Sequence, residues 1–316
     1  MLETANLFVT GGAGTLGRAI AQRRKDKGWL GKLTVYSTDE HKHAYMRSLY
    51  PDVNFIQGDI RNSETLYNAM VGHDVVIHAA AVKVIPASEI NSIDTMDVNE
   101  NGSLTVCFTA LRAGVAHVLG ISTDKACHPA NSYGASKMQM EKIFQEYARI
   151  EHVHTQFHLV RYGNVIESTG SVVEAWRRAV EQNEPVRITD ENMTRFWLSP
   201  SQAVDYVIEA LKFDSGLIYV PKMKSLNIGK LMEYALGEEL ENATVVHIPL
   251  RPGEKAHETL VTLEELIRCA DMGEYYLVLP STVTGYSGKH PDVPFTSANA
   301  DELLKEEWEE LLADRN

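Results

Sequence analysis

Leu7-Phe-Val-Thr10-Gly11-Gly-Ala-Gly14-Thr-Leu-Gly17 is the stretch that decides the fold. A short apolar run gives way to a glycine loop, and a helical pattern follows from Thr15 to about Lys27. This order predicts a buried strand, a phosphate-binding turn and a helix, the opening unit of a dinucleotide-binding α/β fold. Gly11 allows the tight turn, Gly14 lets a pyrophosphate approach the backbone, and Gly17 lets helix and strand pack closely. The helix N-terminus offers amide donors and a positive dipole end, so Thr15 and Leu16 join the three glycines as candidate phosphate contacts. A merely structural glycine turn is the alternative.

Three more strand-and-turn units follow before the fifth strand. Leu33 to Tyr36 is the second strand and ends in Ser37-Thr38-Asp39, with no acid directly at its tip. An acid there would hold the ribose 2′-hydroxyl of NAD. Ser37 and Thr38, with Lys42 and Arg47 nearby, favour a 2′-phosphate, so NADP is expected, with NAD the alternative because of Asp39 and Glu40. Those two acids also suit the first turn of a helix. Asn54 to Gln57 is the third strand, followed by Gly58-Asp59-Ile60-Arg61. Asp59 can accept from an adenine amino group or cap a helix starting near Ser63, and Ile60 beside it joins the candidate cofactor residues. Asp74 to His78 is the fourth strand; Ala79, Ala80 and Ala81 then leave room for a flat ligand, with Lys83 at the cleft edge. Pro86 fits a loop before a long helix from Ser92 to Ala113, stopped by Gly114. Asn99 inside that helix either bridges to the catalytic strand or is exposed.

The chemistry is expected after the fifth strand, His117 to Ile121, at Ser122-Thr123-Asp124-Lys125. Open α/β sheets bind ligands at this carboxyl edge. Tyr133 and Lys137 stand four apart at the start of a helical pattern reaching Ile150, so they share one face. An ammonium beside a phenol favours the phenolate and prepares it to take a proton from a hydroxyl. A surface Tyr-Lys pair is the bland alternative. A sixth strand, Thr155 to Val160, leads into Arg161-Tyr-Gly-Asn164-Val165.

Alternating strands and helices predict a Rossmann-type, doubly wound parallel sheet over residues 1–165. A smaller mixed lobe is expected over 166–316, with about 198–222 packing back on the first. Its elements are helices at Val172 to Gln182 and Ser201 to Lys212, strands at Val186 to Thr189, Leu217 to Val220 and Thr244 to Ile248, and a tail helix at Asp301 to Arg315. Arg195 and Arg251 suit a diphosphate, because a guanidinium grips two oxygens at once, or they are exposed ion pairs. Glu254 suits a ribose hydroxyl and Asn164 a nucleotide.

The 316 residues carry a formal charge of −13, which argues against nucleic acid or an anionic membrane as the main partner. Cys107, Cys127 and Cys269 form no paired framework, as expected of reduced thiols in a cytoplasm. The first residues lack a basic and apolar leader, and no apolar run approaches membrane-spanning length. The histidines show no metal spacing.

With Ser122-Thr-Asp-Lys125 and Tyr133/Lys137, the chain resembles an extended short-chain dehydrogenase/reductase. More narrowly, it resembles the inverting UDP-N-acetylglucosamine 4,6-dehydratases of the bacterial polysaccharide-biosynthesis branch. Matching motifs include Thr10-Gly-Gly-Ala-Gly14, Gly58-Asp-Ile-Arg61, His78-Ala-Ala-Ala-Val-Lys83, Met193-Thr-Arg-Phe-Trp197 and Arg251-Pro-Gly-Glu-Lys-Ala-His-Glu258. The resemblance implies a UDP-sugar substrate, with Lys83, Asn164, Val172, Arg195, Arg251 and Glu254 around it, and a nicotinamide cofactor regenerated each turnover. It implies that Thr123 orients the sugar 4-hydroxyl, that Tyr133 with Lys137 deprotonates it, that a neutral Lys125 removes the C5 proton and that a protonated Asp124 protonates the departing C6 hydroxyl. Closed homo-oligomers are the default for such enzymes. Two departures stand out: Thr38 where the family usually has Arg, and Glu167-Ser168-Thr169 where it usually reads Gly-Ser-Arg. A nucleotide-sugar 4-epimerase is the closest rival, and a non-catalytic sensor or scaffold on the same fold the rival of another class.

Overall fold

The computed structural model describes residues 2–166, 172–283 and 286–314; Glu167-Ser168-Thr169 and the first residues of the Gly170-Ser-Val-Val173 motif lie outside them. The six expected strands are β1 (Leu7–Thr10), β2 (Leu33–Ser37), β3 (Asn54–Gln57), β4 (Val75–His78), β5 (His117–Thr123) and β6 (Gln156–Tyr162). They pair in parallel in the order β3-β2-β1-β4-β5-β6, the Rossmann order. Strands β1, β4 and most of β5 are apolar and buried because helices cover both faces. These helices are α1 (Thr15–Lys27), α2 (Glu40–Leu49), α3 (Ser63–Met70), α4 (Ile85–Ile90), α5 (Ser92–Met96), α6 (Gly102–Ala113) and α7 (Ser132–Tyr147).

Three local expectations are corrected. Pro86 does not lie in a loop; it sits in the first turn of α4, where its missing N–H costs nothing. The long helix is not uniform, because Asp97–Asn101 between α5 and α6 widens into a π turn. Asp59 does not cap α3: Asn62 does, accepting from the Thr65 amide at 3.1 Å, while Asp59 is held by Arg61.

Beyond Tyr162 come β7 (Asn164–Val165), α8 (Val172–Glu181), β8 (Val186–Ile188), β9 (Thr194–Leu198) and α9 (Pro200–Ala210). Then follow β10 (Ile218–Pro221), β11 (Ser225–Asn227), α10 (Ile228–Leu236) and β12 (Val245–His247). The last elements are β13 (Thr259–Val261), β14 (Cys269–Asp271), β15 (Tyr275–Val278), β16 (Phe295–Thr296) and α11 (Lys305–Ala313). Strand β10 joins the main sheet parallel to β6, and β15 and β14 extend it antiparallel. A second core gathers Trp176, Trp197, Leu231 and Trp308 between α8, α10 and the tail helix α11. Strand β9 lies between β7 and β11, and this small sheet carries Asn164 and Arg195 toward the carboxyl edge of β5.

Candidate active site

The glycine loop has the expected geometry, with one addition. Gly11 has φ +63°, and a Cβ there would lie 2.6 Å from the Ala80 Cα. The loop therefore touches the Ala79–Ala81 stretch, whose first two amides bond Thr10. A Cβ on Gly17 would sit 1.9 Å from the Gly12 carbonyl oxygen, so only glycine allows this contact. Gly14 caps α1 without a side-chain bond, which leaves the first-turn amides of Thr15, Leu16 and Gly17 facing an open cradle. These features fit a dinucleotide diphosphate. At the end of β2, Asp39 caps α2 by accepting from the Lys42 amide at 2.9 Å, and it also pairs with Lys42 Nζ at 3.0 Å. Ser37 Oγ shares a hydrogen bond with His43 Nε2 at 2.7 Å; Thr38 is exposed. Ile60 turns its side chain inward onto Gly102.

Asn99 is buried. Its amide donates to the Val82 carbonyl and to Ser136 Oγ, both at 2.9 Å, and its oxygen accepts from the Val82 amide at 2.8 Å. The π turn places this side chain so that it fastens the 79–83 loop to α7. The bridge therefore reaches the catalytic helix, not β5. His78, unremarked in the sequence, links Thr10 Oγ1 at 2.8 Å and Ser103 Oγ at 2.9 Å. Burial lowers its ring to about 3, so it is a neutral strut.

At the end of β5 the expected residues do converge. Thr123 Oγ1 donates to Asp124 Oδ1 at 2.8 Å, and Lys125 Nζ donates to the same oxygen and to Asn164 Oδ1, each at 3.0 Å. Asp124 is 0% exposed, and its Oδ2 has no partner among the described residues. Burial raises its carboxyl above the usual range, helped by Glu258 and opposed by Lys125, the direction a proton donor needs.

Two charge states differ from the sequence expectation. Burial alone would lower Lys125, but Asp124 and Glu258, whose Oε1 lies 3.6 Å from Nζ, outweigh it and hold the ammonium above its ordinary range. Lys125 is thus charged at rest, not neutral. Tyr133 is likewise not a ready phenolate. Burial pushes it up to about 12, against the pull of Lys125 and a hydrogen bond with Thr123. Lys137 is not held as a full ammonium beside it: its Nζ donates to Met140 Sδ at 3.0 Å, and burial takes it down to about 7.

The remaining candidates are placed as follows. Lys83 is at the exposed edge of the loop after β4, and desolvation followed by repulsion from Lys42 and Lys125 lowers it. The Arg195 guanidinium donates to the carbonyls of Thr194, Lys255 and Ala256, with Glu254 Oε1 at 3.6 Å; it stitches β9 to the 254–256 loop. Glu254 also accepts from the Arg251 amide at 3.3 Å, and the Arg251 side chain is exposed. Val172 opens α8, half-buried. Sequence reasoning missed Glu258 and the buried cluster of Arg161, Glu141 and Glu265. Arg161 Nη2 bonds Glu141 at 2.7 Å, and its Nη1 bonds Glu265 at 2.9 Å. An arginine ending an apolar strand was the available signal, because such a charge must be paired. Among the described residues, no group of three or more His, Cys, Asp or Glu could hold a metal, and no helix is long and apolar enough to cross a membrane. Cys107, Cys127 and Cys269 are free and buried.

Comparison with known proteins agrees with this geometry. The chain is 34% identical to a UDP-N-acetylglucosamine 4,6-dehydratase (inverting) of Campylobacter jejuni, over 89% of this chain and 84% of that protein. It is 35% identical to a UDP-glucose 4-epimerase of Rickettsia bellii, over 88% and 84%. The crystal structure of Pen from Bacillus thuringiensis superposes with a TM-score of 0.90 at 28% identity, covering 99% of this chain and 98% of that one. Residues 7–280 match the polysaccharide biosynthesis protein family model. With that match across most of its length, on a Rossmann sheet of short-chain dehydrogenase/reductase type, the chain belongs to the polysaccharide biosynthesis protein family.

Proposed function

We propose that this protein dehydrates UDP-N-acetylglucosamine, or a close UDP-hexose, to the 4-keto-6-deoxy sugar with inversion at C5. The observation that carries the reading is the Asp124–Lys125 pair: a fully buried carboxyl, one oxygen of which has no hydrogen-bond partner among the described residues, 3.0 Å from an ammonium and beside Thr123 and Tyr133. A 4-epimerase needs the threonine and tyrosine but no acid and base next to them. A bound nicotinamide dinucleotide would supply reversible hydride transfer, taking it at C4 and returning it at C6. Thr123 orients the 4-hydroxyl, and Tyr133 takes its proton as its own phenolic proton passes on to Lys137. Burial brings Lys137 down to about 7, so part of it is free amine at physiological pH and can accept that proton, as a surface lysine would not. The ketone acidifies the C5 proton, which Lys125 removes, and Asp124 donates to the departing C6 hydroxyl; as C6 is reduced, C5 takes a solvent-derived proton on the opposite face, which inverts it. The resting ion pair becomes the working acid and amine by one proton transfer along their 3.0 Å hydrogen bond; elimination returns it to the ion pair.

The test is incubation with UDP-N-acetylglucosamine in heavy water. The expected product is lighter by one water, before isotope uptake, and carries deuterium at C5 with inverted configuration. The epimerase reading draws on the Rickettsia relative; a product of unchanged formula, epimeric at C4, would establish it instead.

NADP is the preferred cofactor in this reading. Asp39 is committed to capping α2 and does not stand free to hold a ribose diol, while Thr38 and Lys42 border the same place. NADPH should bind more tightly than NADH. Lys42→Ala should weaken NADPH by about tenfold, the loss of one charge-assisted contact, and leave NADH nearly unchanged. Fluorescence titration of both cofactors checks this, and equal effects on the two would refute it.

A further inference from the structure

Lys137 shows what burial does to a lysine with little compensation: it falls to about 7. Lys125 is also largely desolvated in the same site yet keeps its proton, and its neighbours explain this. Asp124 is one. The other is Glu258, which enters from the loop before β13 and is 3% exposed. Its Oε1 lies 3.6 Å from Lys125 Nζ and its Oε2 2.9 Å from Lys255 Nζ. Lys255 also donates to the Cys127 carbonyl at 3.0 Å, and the Glu258 amide donates to Ser297 Oγ at 2.9 Å. Asp124, Lys125, Glu258 and Lys255 thus form a row of alternating charge, its carboxylates buried and its ammonium groups partly so, that joins the turn after β5 to the segment leading into β13.

We propose that Glu258 is a positioning residue of the acid–base centre, whose carboxylate, anchored by Lys255, keeps the Asp124–Lys125 pair in the singly protonated form that elimination requires. This rests on the dehydratase reading and names the group that governs its proton inventory. The pair titrates as a unit. With two protons it has no base, and with none it has no acid. A negative charge held close by raises the proton affinity of both members, so Glu258 moves the working window up in pH as a whole. Among the described residues, Glu258 pairs with a second cation and stays ionised, while Asp124 pairs with Lys125 alone and is the one that takes a proton. When Lys125 takes the C5 proton, the growing ammonium also meets a fixed counter-charge. Among the described residues, Arg195 from β9, Tyr133 from α7, Lys83 from the loop after β4 and the Cys127 thiol beside Lys255 also face this row. Arg195 opposes Glu258 in its effect on Lys125, and none of the four supplies a third carboxylate.

The experiment compares Glu258→Gln with wild type in two measurements. The first is the pH profile of dehydration and C5 deuterium uptake; the second is the 13Cε titration of Lys125 in lysine-labelled protein, assigned by its loss in Lys125→Arg. The expected result is a profile displaced to lower pH by about one unit or more, with Lys125 titrating correspondingly lower. Loss of rate at every pH without displacement, and with an unaltered Lys125 titration, would reduce Glu258 to a packing residue and overturn the proposal. If wild type gives no dehydration but Lys125 still titrates lower in Glu258→Gln, the dehydratase reading fails and the charge role stands. Lys255→Met is the second variant, at a side chain not fully buried. It removes a cation from the row and should move both measurements to higher pH; no movement, or movement the other way, would also overturn the proposal.

Discussion

Asp124→Asn should lower water elimination about 10³-fold while leaving oxidation at C4 largely intact. The amide matches the carboxyl in shape and can still accept from Lys125 and Thr123 through one oxygen, as Oδ1 does now. What it lacks is a proton to give to a departing hydroxyl. With its carboxylate neighbour gone, Lys125 is also more easily deprotonated, so abstraction at C5 should continue. The variant should therefore return undehydrated sugar that has gained deuterium at C5 in heavy water, along with reduced cofactor visible by absorbance. Tyr133→Phe makes the contrast. Without the phenol neither oxidation nor exchange should occur, because both depend on removing the 4-hydroxyl proton. Dehydration by Asp124→Asn within tenfold of wild type would exclude Asp124 as the acid, and exchange without Tyr133 would exclude the oxidised intermediate.

The sequence made the first half of this site legible because its constraints are local. Gly17 can be nothing else when a Cβ would meet the Gly12 carbonyl at 1.9 Å, and Tyr133 and Lys137 share a face by helix geometry alone. Strands β1 to β6 announced themselves as apolar runs at regular spacing. Charge states were not legible in the same way. The raised Lys125 depends on Asp124 beside it and on the distant Glu258, and the lowered Lys137 on burial; what distant segments bring to a lysine leaves no mark in its own neighbourhood. The same holds for β9, β11 and the antiparallel β14 and β15. They are short segments whose hydrogen bonds are supplied by distant partners, so no periodicity of their own identifies them. Asn99 is the intermediate case. A polar residue within a helical run signalled a special position, but the π turn that aims it becomes visible only in three dimensions.

Arg161→Met should destabilise the folded protein by about 3–5 kcal/mol at neutral pH, the usual cost of removing one partner from a buried ion pair. Arg161 is 2% exposed and is the hub of β6, α7 and the turn that follows β13. Burial alone would raise the Glu265 carboxyl, yet Arg161 and its hydrogen bonds bring it down to about 2. Glu265 keeps Arg268 at 3.1 Å in the variant, so the orphaned charge is chiefly Glu141, left with Ser122 as its donor. The pH dependence follows from these signs. In wild type, Glu265 contributes stability above the unfolded carboxyl value and loses it as pH falls toward about 2. Urea unfolding midpoints should therefore differ most at neutral pH and converge as pH falls from the ordinary glutamate range toward about 2. Arg161→Met combined with Glu141→Leu should recover much of the loss, since an apolar pair of similar volume replaces the charges. The cluster also has a catalytic consequence. Glu141 stands one turn beyond Lys137, and Ser122 immediately precedes Thr123, so loosening it should lower turnover even where the variant is fully folded. A double variant that regains stability but not activity would assign Arg161 a part in holding the catalytic strand against its helix; recovery of both together would confine it to the core.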